Sequence, residues 1–401
     1  MKVLYLYLYA RREIGSVHKK MMDQVAALNA MGVETRGAFF CADVQEPVAL
    51  SSDVELVPFR RSTHRIWSHQ QTEEFLYEAV DAYLRTRAAD VDRIFLRYPP
   101  GCAPLLRLIR KYPGLFCLEH NTKELPERWE GLKRYQITWR PSGIKVWLLD
   151  FVYEYYAEKW YGPNILRHAR MGLAVTNEIG AYEQARCRPH PYRVFTVSNG
   201  IAVDRIPVKP PVAFDGSDLR LLFMRGSQSD STWHGVERLL HGLAAYRGPC
   251  RVHLYLLGSR FPREQALAES LGIQDQVTFT GHLEGEALTR MIDQSHLGIG
   301  SLGMHRIQLA EGAVLKVKEY MARGLPAVLA YQDVDVSYTP EFQPYVLHLP
   351  PDESPVSIEA LIGFAQRVFA DGDPAPAIRA LAHQYLDARV KMAHLKSVLE
   401  Q

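Results

Sequence analysis

Three absences bound this 401-residue chain. It has no run of about 18 apolar residues, so no helix is expected to span a membrane. It has no CxxC pair: Cys41, Cys102, Cys117, Cys187 and Cys250 are odd in number and scattered. That argues against a disulfide framework or structural zinc and fits a reduced, cytoplasmic setting. Neither GxGxxG nor the P-loop pattern is present, which leaves a nicotinamide enzyme or an NTPase little support. The N-terminus offers one early Lys and then only about eight apolar residues, without a small-residue cleavage site. It reads as a first buried strand, not a signal peptide. Excess charge is also slight, at net +2. Residues 1–200 hold 28 Lys/Arg against 22 Asp/Glu, and residues 201–401 hold 19 against 23. The basic half suits anionic lipid or a phosphate-bearing substrate; no nucleic-acid partner is expected.

What is there is alternation. Short apolar runs occur at 3–9, 34–40, 54–59, 93–98, 115–120, 171–176 and 193–198, and again at 219–224, 251–258, 277–281, 297–301, 326–330 and 345–349. Helix-like periodicity fills segments such as 234–246, 262–271, 284–294 and 356–370. Near-continuous apolar strands alternating with helices predict parallel sheets covered on both faces. The expected fold class is α/β, with two doubly wound parallel-sheet domains facing a cleft. The first covers 1–203 and the second 204–375. The Pro-rich segment Ile206–Asp218 forms the junction, and a C-terminal helix within 376–401 is expected to cross back to the first domain. Ligands of such sheets sit beyond the carboxyl ends of the strands, and a cleft suits a two-substrate reaction.

The stretch "LAEGAVLKVKEYMARGLPAVLA" (309–330) carries the chemistry. Val314, Val317 and Met321 share a helical face, and "RGLP" supplies a Gly C′ and a Pro stop, so a helix is expected over about 314–323. Glu311 and Gly312 fall in the loop before it. Unpaired N–H groups at its start suit a phosphate. Lys316 adds a cation, and Glu319 can hold a diol such as ribose. The plain alternative pairs Glu319 with Arg323 at i,i+4, worth about 0.2–0.5 kcal/mol, and leaves Glu311 solvated. Spacing alone leaves both open.

The same stretch resembles the EX7E segment of the retaining family 4 glycosyltransferases, whose fold is GT-B, two Rossmann-like domains. "SNGIAVD" (198–204), "GSQSDSTWHGVERLL" (226–240) and "VTFTGHLEGEALTRMIDQSHLGIGSLG" (277–303) follow that family's order: junction motif, donor-phosphate loop, base-contacting stretch. The resemblance implies that Glu319 holds the nucleotide ribose, that Glu311 faces the donor sugar as a catalytic residue, and that amides near Val314, Leu315 and Lys316 bind the distal phosphate. The family's Arg and Lys on the diphosphate correspond to Arg225, beside Gly226, and to His234. Gly281, His282 and Leu283 fall in the base-contacting stretch.

In the first half, "LEHNTKELPE" resembles the segment with an active-site histidine, so His120 is the second catalytic candidate, with Asn121 beside it on the acceptor. A histidine after a strand is otherwise structural. Gly15, after the first strand, either lets the donor approach or simply turns the chain. Arg97 ends a strand at the same edge and reads equally as an acceptor contact or a buried ion-pair partner. Four of the six tryptophans fall in 128–170: Trp129, Trp139, Trp147 and Trp160. Within 146–160 they suit a helix packed on the sheet; around Trp129 and Trp139 they suit acceptor or membrane contact. Asp90–Asp92 and Asp333–Asp335 are DxD strings in polar connections, and no metal is expected. The chain therefore reads as a retaining, metal-independent glycosyltransferase. Its donor would be UDP- or GDP-linked, its acceptor a saccharide or lipid-linked saccharide at the inner membrane face. A nucleotide-sugar epimerase and a catalytically silent sugar- or lipid-binding subunit remain open.

Overall fold

A computed structural model of the chain describes all residues except 11, 13–14, 65–66, 135–146, 227–230, 259–260 and 401. It divides into two compact units, residues 1–198 with 392–401, and residues 199–391.

The first unit is built on eight strands: β1 (Lys2–Ala10), β2 (Glu34–Cys41), β3 (Val48–Ala49), β4 (Val54–Pro58), β5 (Arg93–Arg97), β6 (Phe116–His120), β7 (Met171–Ala174) and β8 (Val194–Thr196). Their order in the sheet is β3-β4-β2-β1-β5-β6-β7-β8, parallel throughout except for the edge pair β3–β4. The apolar run of β1 explains why it lies at the centre. Leu4, Leu6 and Leu8 enter one buried cluster, while Val3 and Tyr5 enter the other, so both faces are covered and the run Val3–Leu8 is apolar or aromatic throughout. Met392, Leu395, Val398 and Leu399, from the last helix, complete the second cluster.

The second unit holds β9 (Asp218–Met224), β10 (Arg251–Leu257), β11 (Val277–Gly281), β12 (Leu297–Ile299), β13 (Glu311–Gly312), β14 (Ala327–Leu329), β15 (Gln332–Asp333) and β16 (Val346–His348). Six form an all-parallel sheet in the order β11-β10-β9-β12-β14-β16. That is the 3-2-1-4-5-6 order of a dinucleotide-type sheet, whose winding reverses between its first and fourth strands, here β9 and β12. In the first unit the reversal falls between β1 and β5. The two-residue strands β3, β13 and β15 have too few residues to leave a sequence pattern.

The division at Ser198/Asn199 lies ahead of the expected 203/204 boundary, and the second unit runs past 375 to Lys391. Packing explains the difference. Ile201 bridges to Asp387, and Arg379 donates to the Val203 carbonyl at 2.7 Å. The "SNGIAVD" segment is thereby fastened to the 375–391 chain and not to the strand before it.

Two helix-end glycines separate the cost of conformation from that of space. Gly324 (φ +81°) ends the helix Leu315–Arg323, and a Cβ there would meet the Ala375 Cβ at 2.5 Å; Gly272 (φ +68°) ends Pro262–Ser270 and faces open space. Gly272→Ala should cost about 1 kcal/mol for the left-handed backbone alone. Gly324→Ala should cost about 3 kcal/mol once overpacking is added, read as the difference in urea midpoints.

Candidate functional site

The candidate site of the second unit lies where its sheet reverses. β9 ends at Phe223 and Met224, the latter fixed by Tyr320, whose ring is wholly buried and whose hydroxyl donates to the Ile299 carbonyl and accepts from the Met224 N–H. The short turn Thr232–His234 is tied across the reversal, with the Leu302 and Gly303 N–H groups donating to the carbonyls of His234 and Trp233. His234 is thus held beside the start of Leu315–Arg323. That helix begins after Val314, with no side chain capping it. Among the described residues, no backbone carbonyl accepts the N–H groups of Val314, Leu315 or Lys316, the orphan donors of a helix start.

Lys316 is half-buried as a residue, but its ammonium is enclosed and makes no hydrogen bond among the described residues. It sits 3.8 Å from the centroid of the Phe223 ring, and the His234 ring meets the same phenyl edge-on at 5.7 Å. Burial drives the Lys316 ammonium far below its ordinary range, and the Arg225 charge adds to this. Burial likewise pushes His234 well below 6.5, helped by Lys316 and Arg225. Arg225 is buried, bonded to Glu264 Oε1 at 3.0 Å and stacked 3.8 Å over Phe261; Gly226 is exposed and unobstructed. Three basic groups therefore share this corner, and the enclosed ammonium among them favours an anionic ligand.

Glu319 lies a turn further along and is 31 % exposed as a side chain. The i,i+4 pair foreseen with Arg323 does form, and both of its bonds go to Oε1, at 3.2 and 3.1 Å from Nε and Nη2. Arg323 is itself buried. Oε2 takes no partner among the described residues, so the pair holds the carboxylate in place without consuming it. Glu311 and Gly312 are not loop residues: they form β13, parallel to β15. The Tyr338 hydroxyl donates to Glu311 Oε1 at 3.2 Å. Neither Tyr338, 27 residues away in sequence, nor Phe223 beneath Lys316 carried a sequence signal. Gly281 (φ +72°) closes β11. His282 is exposed, 3.2 Å from Glu284, and Leu283 is half-buried.

The Asp333–Asp335 string is accounted for by lysines. Lys318 Nζ lies 2.5 Å from both Asp333 Oδ1 and Asp335 Oδ2, and Lys391 Nζ lies 2.6 Å from Asp335 Oδ1. Burial pushes Asp335 up, but the two ammonium groups outweigh it and hold it below its ordinary value. Asp90 is exposed, and Asp92 accepts from the Lys2 N–H at 2.8 Å.

In the first unit, Arg97 ends β5 half-buried. It neighbours a buried cluster in which Glu119 accepts from Lys20 Nζ at 2.5 Å and from the Tyr5 hydroxyl at 2.8 Å. Burial raises Glu119, and Lys20 and Arg97 more than offset it. Asn121 Nδ2 reaches back to the Glu119 carbonyl at 3.4 Å. Gly15 caps the first helix at φ −84°, where any residue fits, and a Cβ there would meet only His18, at 4.0 Å; no turn requires it. His120 has no accessible surface. Its Nε2 is 3.1 Å from the Tyr192 hydroxyl and its Nδ1 3.8 Å from Glu183, and burial followed by the Arg186 charge pushes it down to about 3. It is a neutral interior imidazole. Trp129 is exposed, 5.4 Å from Tyr155 and within 5.5 Å of the Lys133 ammonium; Trp139 lies outside the described residues. From Trp147 to Trp160 the chain is helical throughout, as expected, but in two windings. Trp147–Val152 is wound as a π-helix and Tyr153–His168 as an α-helix, whose Trp160 is 74 % exposed.

No protein-family model matches the chain, and no curated protein matches its sequence. Solved structures do match over its whole length. Sucrose-phosphate synthase from Thermosynechococcus elongatus superposes with a TM-score of 0.69 at 15 % identity, over 100 % of this chain and 98 % of that one. HepE from Anabaena, in complex with UDP and glucose, gives 0.60 at 14 % over 100 % and 99 %. WaaG, a glycosyltransferase involved in lipopolysaccharide biosynthesis, gives 0.55 at 16 % over 98 % and 95 %. At these identities the likeness establishes the fold, GT-B.

Lys316 supplies a test of the corner itself. The folded protein holds this proton less tightly than the unfolded chain, so Lys316 costs stability at any pH below the ordinary 10.5. Lys316→Met should therefore raise stability at neutral pH by about 1–3 kcal/mol, measured by urea denaturation. A loss would mean that the ammonium has a native partner.

Proposed function

We propose that the chain is a glycosyltransferase that moves a sugar from a nucleotide-sugar donor, UDP- or GDP-linked, to a saccharide or lipid-linked saccharide. The observation that carries this reading is the enclosed Lys316 ammonium, without a hydrogen-bond partner among the described residues, at the reversal of a dinucleotide-type sheet. A diphosphate would give that ammonium its partner, and the orphan amides of Val314–Lys316 add donors to it. Glu319, one turn on, has an oxygen left for a ribose hydroxyl. That HepE of this fold is described with UDP and with UDP-glucose favours uridine.

In this reading the bond from the anomeric carbon to the diphosphate oxygen breaks, and its electron pair leaves with the nucleotide. The acceptor hydroxyl oxygen bonds to that carbon on the same face, so configuration is retained, and its proton passes to the departing phosphate oxygen. Charge that develops on the diphosphate meets groups already in place: Lys316, the helix amides and Arg225. Glu311 orients the sugar. His120, enclosed and neutral, supports the strand end and does not touch the sugar. No metal is needed for this chemistry. Arg97, Asn121 and Trp129 remain the acceptor candidates. Among the described residues no helix is long and apolar enough to cross a membrane; a cytoplasmic site at the membrane face, in polysaccharide or glycan assembly, is the setting we infer.

A thermal-shift comparison of UDP, GDP, ADP and TDP tests the donor, with UDP expected to raise the midpoint most. Glu319→Ala should weaken nucleotide binding by about tenfold or more, the loss of a charge-assisted hydrogen bond. Glu311→Ala should spare it and abolish transfer. Unchanged binding and turnover in both variants would remove the site assignment.

Binding should also take up protons, because a diphosphate raises the pKa of Lys316 and His234 above the depressed values of the empty site. Affinity is then expected to fall as pH rises above the depressed values of the empty site, with calorimetric heats that depend on the buffer.

A further inference from the structure

The sheet of the first unit reverses between β1 and β5, and two polar side chains meet at the carboxyl ends of those strands. The parallel register sets Tyr5 beside Phe95 and Leu6 beside Leu96. One residue further on, it carries Tyr7 and Arg97 onto the face that holds Tyr5 and Phe95. Arg97 is also level with Glu119 of β6. The Tyr7 ring is held edge-on by Phe39 at 5.7 Å and by His18 at 5.3 Å. Both Tyr7 and Arg97 are half-buried. Among the described residues, neither the Tyr7 hydroxyl nor the Arg97 guanidinium makes a hydrogen bond, and Arg97 makes no ion pair.

The carboxylate level with Arg97 is already committed. Glu119 takes the Lys20 ammonium on Oε1 and the Tyr5 hydroxyl on Oε2. Lys20, Arg97 and Glu119 together leave one positive charge over. The surplus is felt at Lys20, where burial and the Arg97 charge lower the proton affinity although Glu119 raises it. The helix Ser16–Ala30, whose Lys20 reaches Glu119, begins at the same end of the sheet after Gly15, and a helix start adds positive potential. An anion is the ligand that such an edge favours. A guanidinium fork bonds two oxygens of a carboxylate or a phosphate alike. A carboxylate spends both of its oxygens there, whereas a phosphoryl group keeps a third for the Tyr7 hydroxyl.

We propose that Arg97 and Tyr7 bind a phosphoryl group carried by the acceptor, either a saccharide phosphate or a saccharide on a prenyl diphosphate. The acceptor role rests on the transferase reading above, while the anion site rests on the first unit alone. Arg97 supplies the charge and the fork, and Tyr7 the third donor. Lys20 and Glu119 neutralise each other beneath them and keep Arg97 from folding back onto the carboxylate. Anchoring the acceptor by a charged group at a strand end orients the rest of it before reaction, and an acceptor without that group leaves the guanidinium unpaired and is disfavoured.

The test is calorimetric titration of the full chain with glucose, glucuronate, glucose 6-phosphate and farnesyl diphosphate. One of the two phosphorylated probes should bind about tenfold or more tighter than glucose and glucuronate, and the tighter of the two tells a free saccharide phosphate from a prenyl carrier. Arg97→Met should weaken that binding by about tenfold or more and Tyr7→Phe by about threefold. Arg97→Lys, which keeps the charge and loses the fork, should fall between Arg97→Met and the unmodified chain. Thermal midpoints close to that of the unmodified chain control for folding. Lys316→Met should bind the probe as before, which separates this site from the corner in the second unit. Binding lost in Lys316→Met and kept in Arg97→Met overturns the site alone. Glucose or glucuronate bound as tightly as the phosphorylated probes overturns the phosphoryl claim. Arg97-dependent binding by a chain that no nucleoside diphosphate stabilises overturns the acceptor role together with the donor reading.

Discussion

Lys316 and Lys318 stand two residues apart on one helix, and both ammonium groups are enclosed. Among the described residues, only one has anions. Lys318 meets Asp333 and Asp335, and for it those charges outweigh burial and raise its affinity for the proton. Lys316 meets a phenyl ring and a second cation, and for it burial wins in the other direction. A buried ammonium with two carboxylates is a fastening. A buried ammonium with none is a cost that only a ligand can relieve. The helix is held by the first lysine and, in the reading proposed, works through the second.

The surroundings of that helix are set by sheet topology. A strand buried on both faces is mostly apolar along its length, so its polar chemistry gathers at and beyond its carboxyl end. Phe223 is the last core residue of β9, and Arg225 comes two residues later. Where the winding reverses, the chains leaving β9 and β12 diverge, and the Thr232–His234 turn and the helix start converge on the space between them. The sheet of the first unit also reverses, between β1 and β5, but the unit fills its interior differently. Glu158, wholly buried, is paired with Arg186, which also holds Glu183 at 3.0 Å; burial pushes Glu183 up to about 8. His120 belongs to this packed polar interior, where a neutral imidazole costs less than a charged one.

The pair Glu319–Arg323 shows how a plain and a functional interpretation can both hold. The salt bridge is present, as i,i+4 spacing permits. Because both guanidinium bonds fall on one oxygen, it also sets the orientation of the other. A buried arginine used in this way organises a carboxylate that stays partly exposed.

Thirteen strands were legible in the sequence because a two-sided apolar run of five or more residues is a strong local pattern. The helix from Leu315 to Arg323 was legible as well, with its C′ glycine and proline stop. The eight-residue interval between Glu311 and Glu319 could be read too, but as a question. What the sequence could not hold was contact between distant segments. Nothing local to Lys316 tells that its ammonium rests on Phe223 while that of Lys318 finds Asp333 and Asp335. Nothing local to Tyr338 tells that its hydroxyl finds Glu311, nor does the strand-end position of His120 reveal that Tyr98, Tyr192 and Glu183 close over it. Periodicity and end signals are properties of a segment and are fixed by its residues. Burial and charge balance are properties of neighbours, and only the packed sheet decided which lysine was given its anions and which was left without.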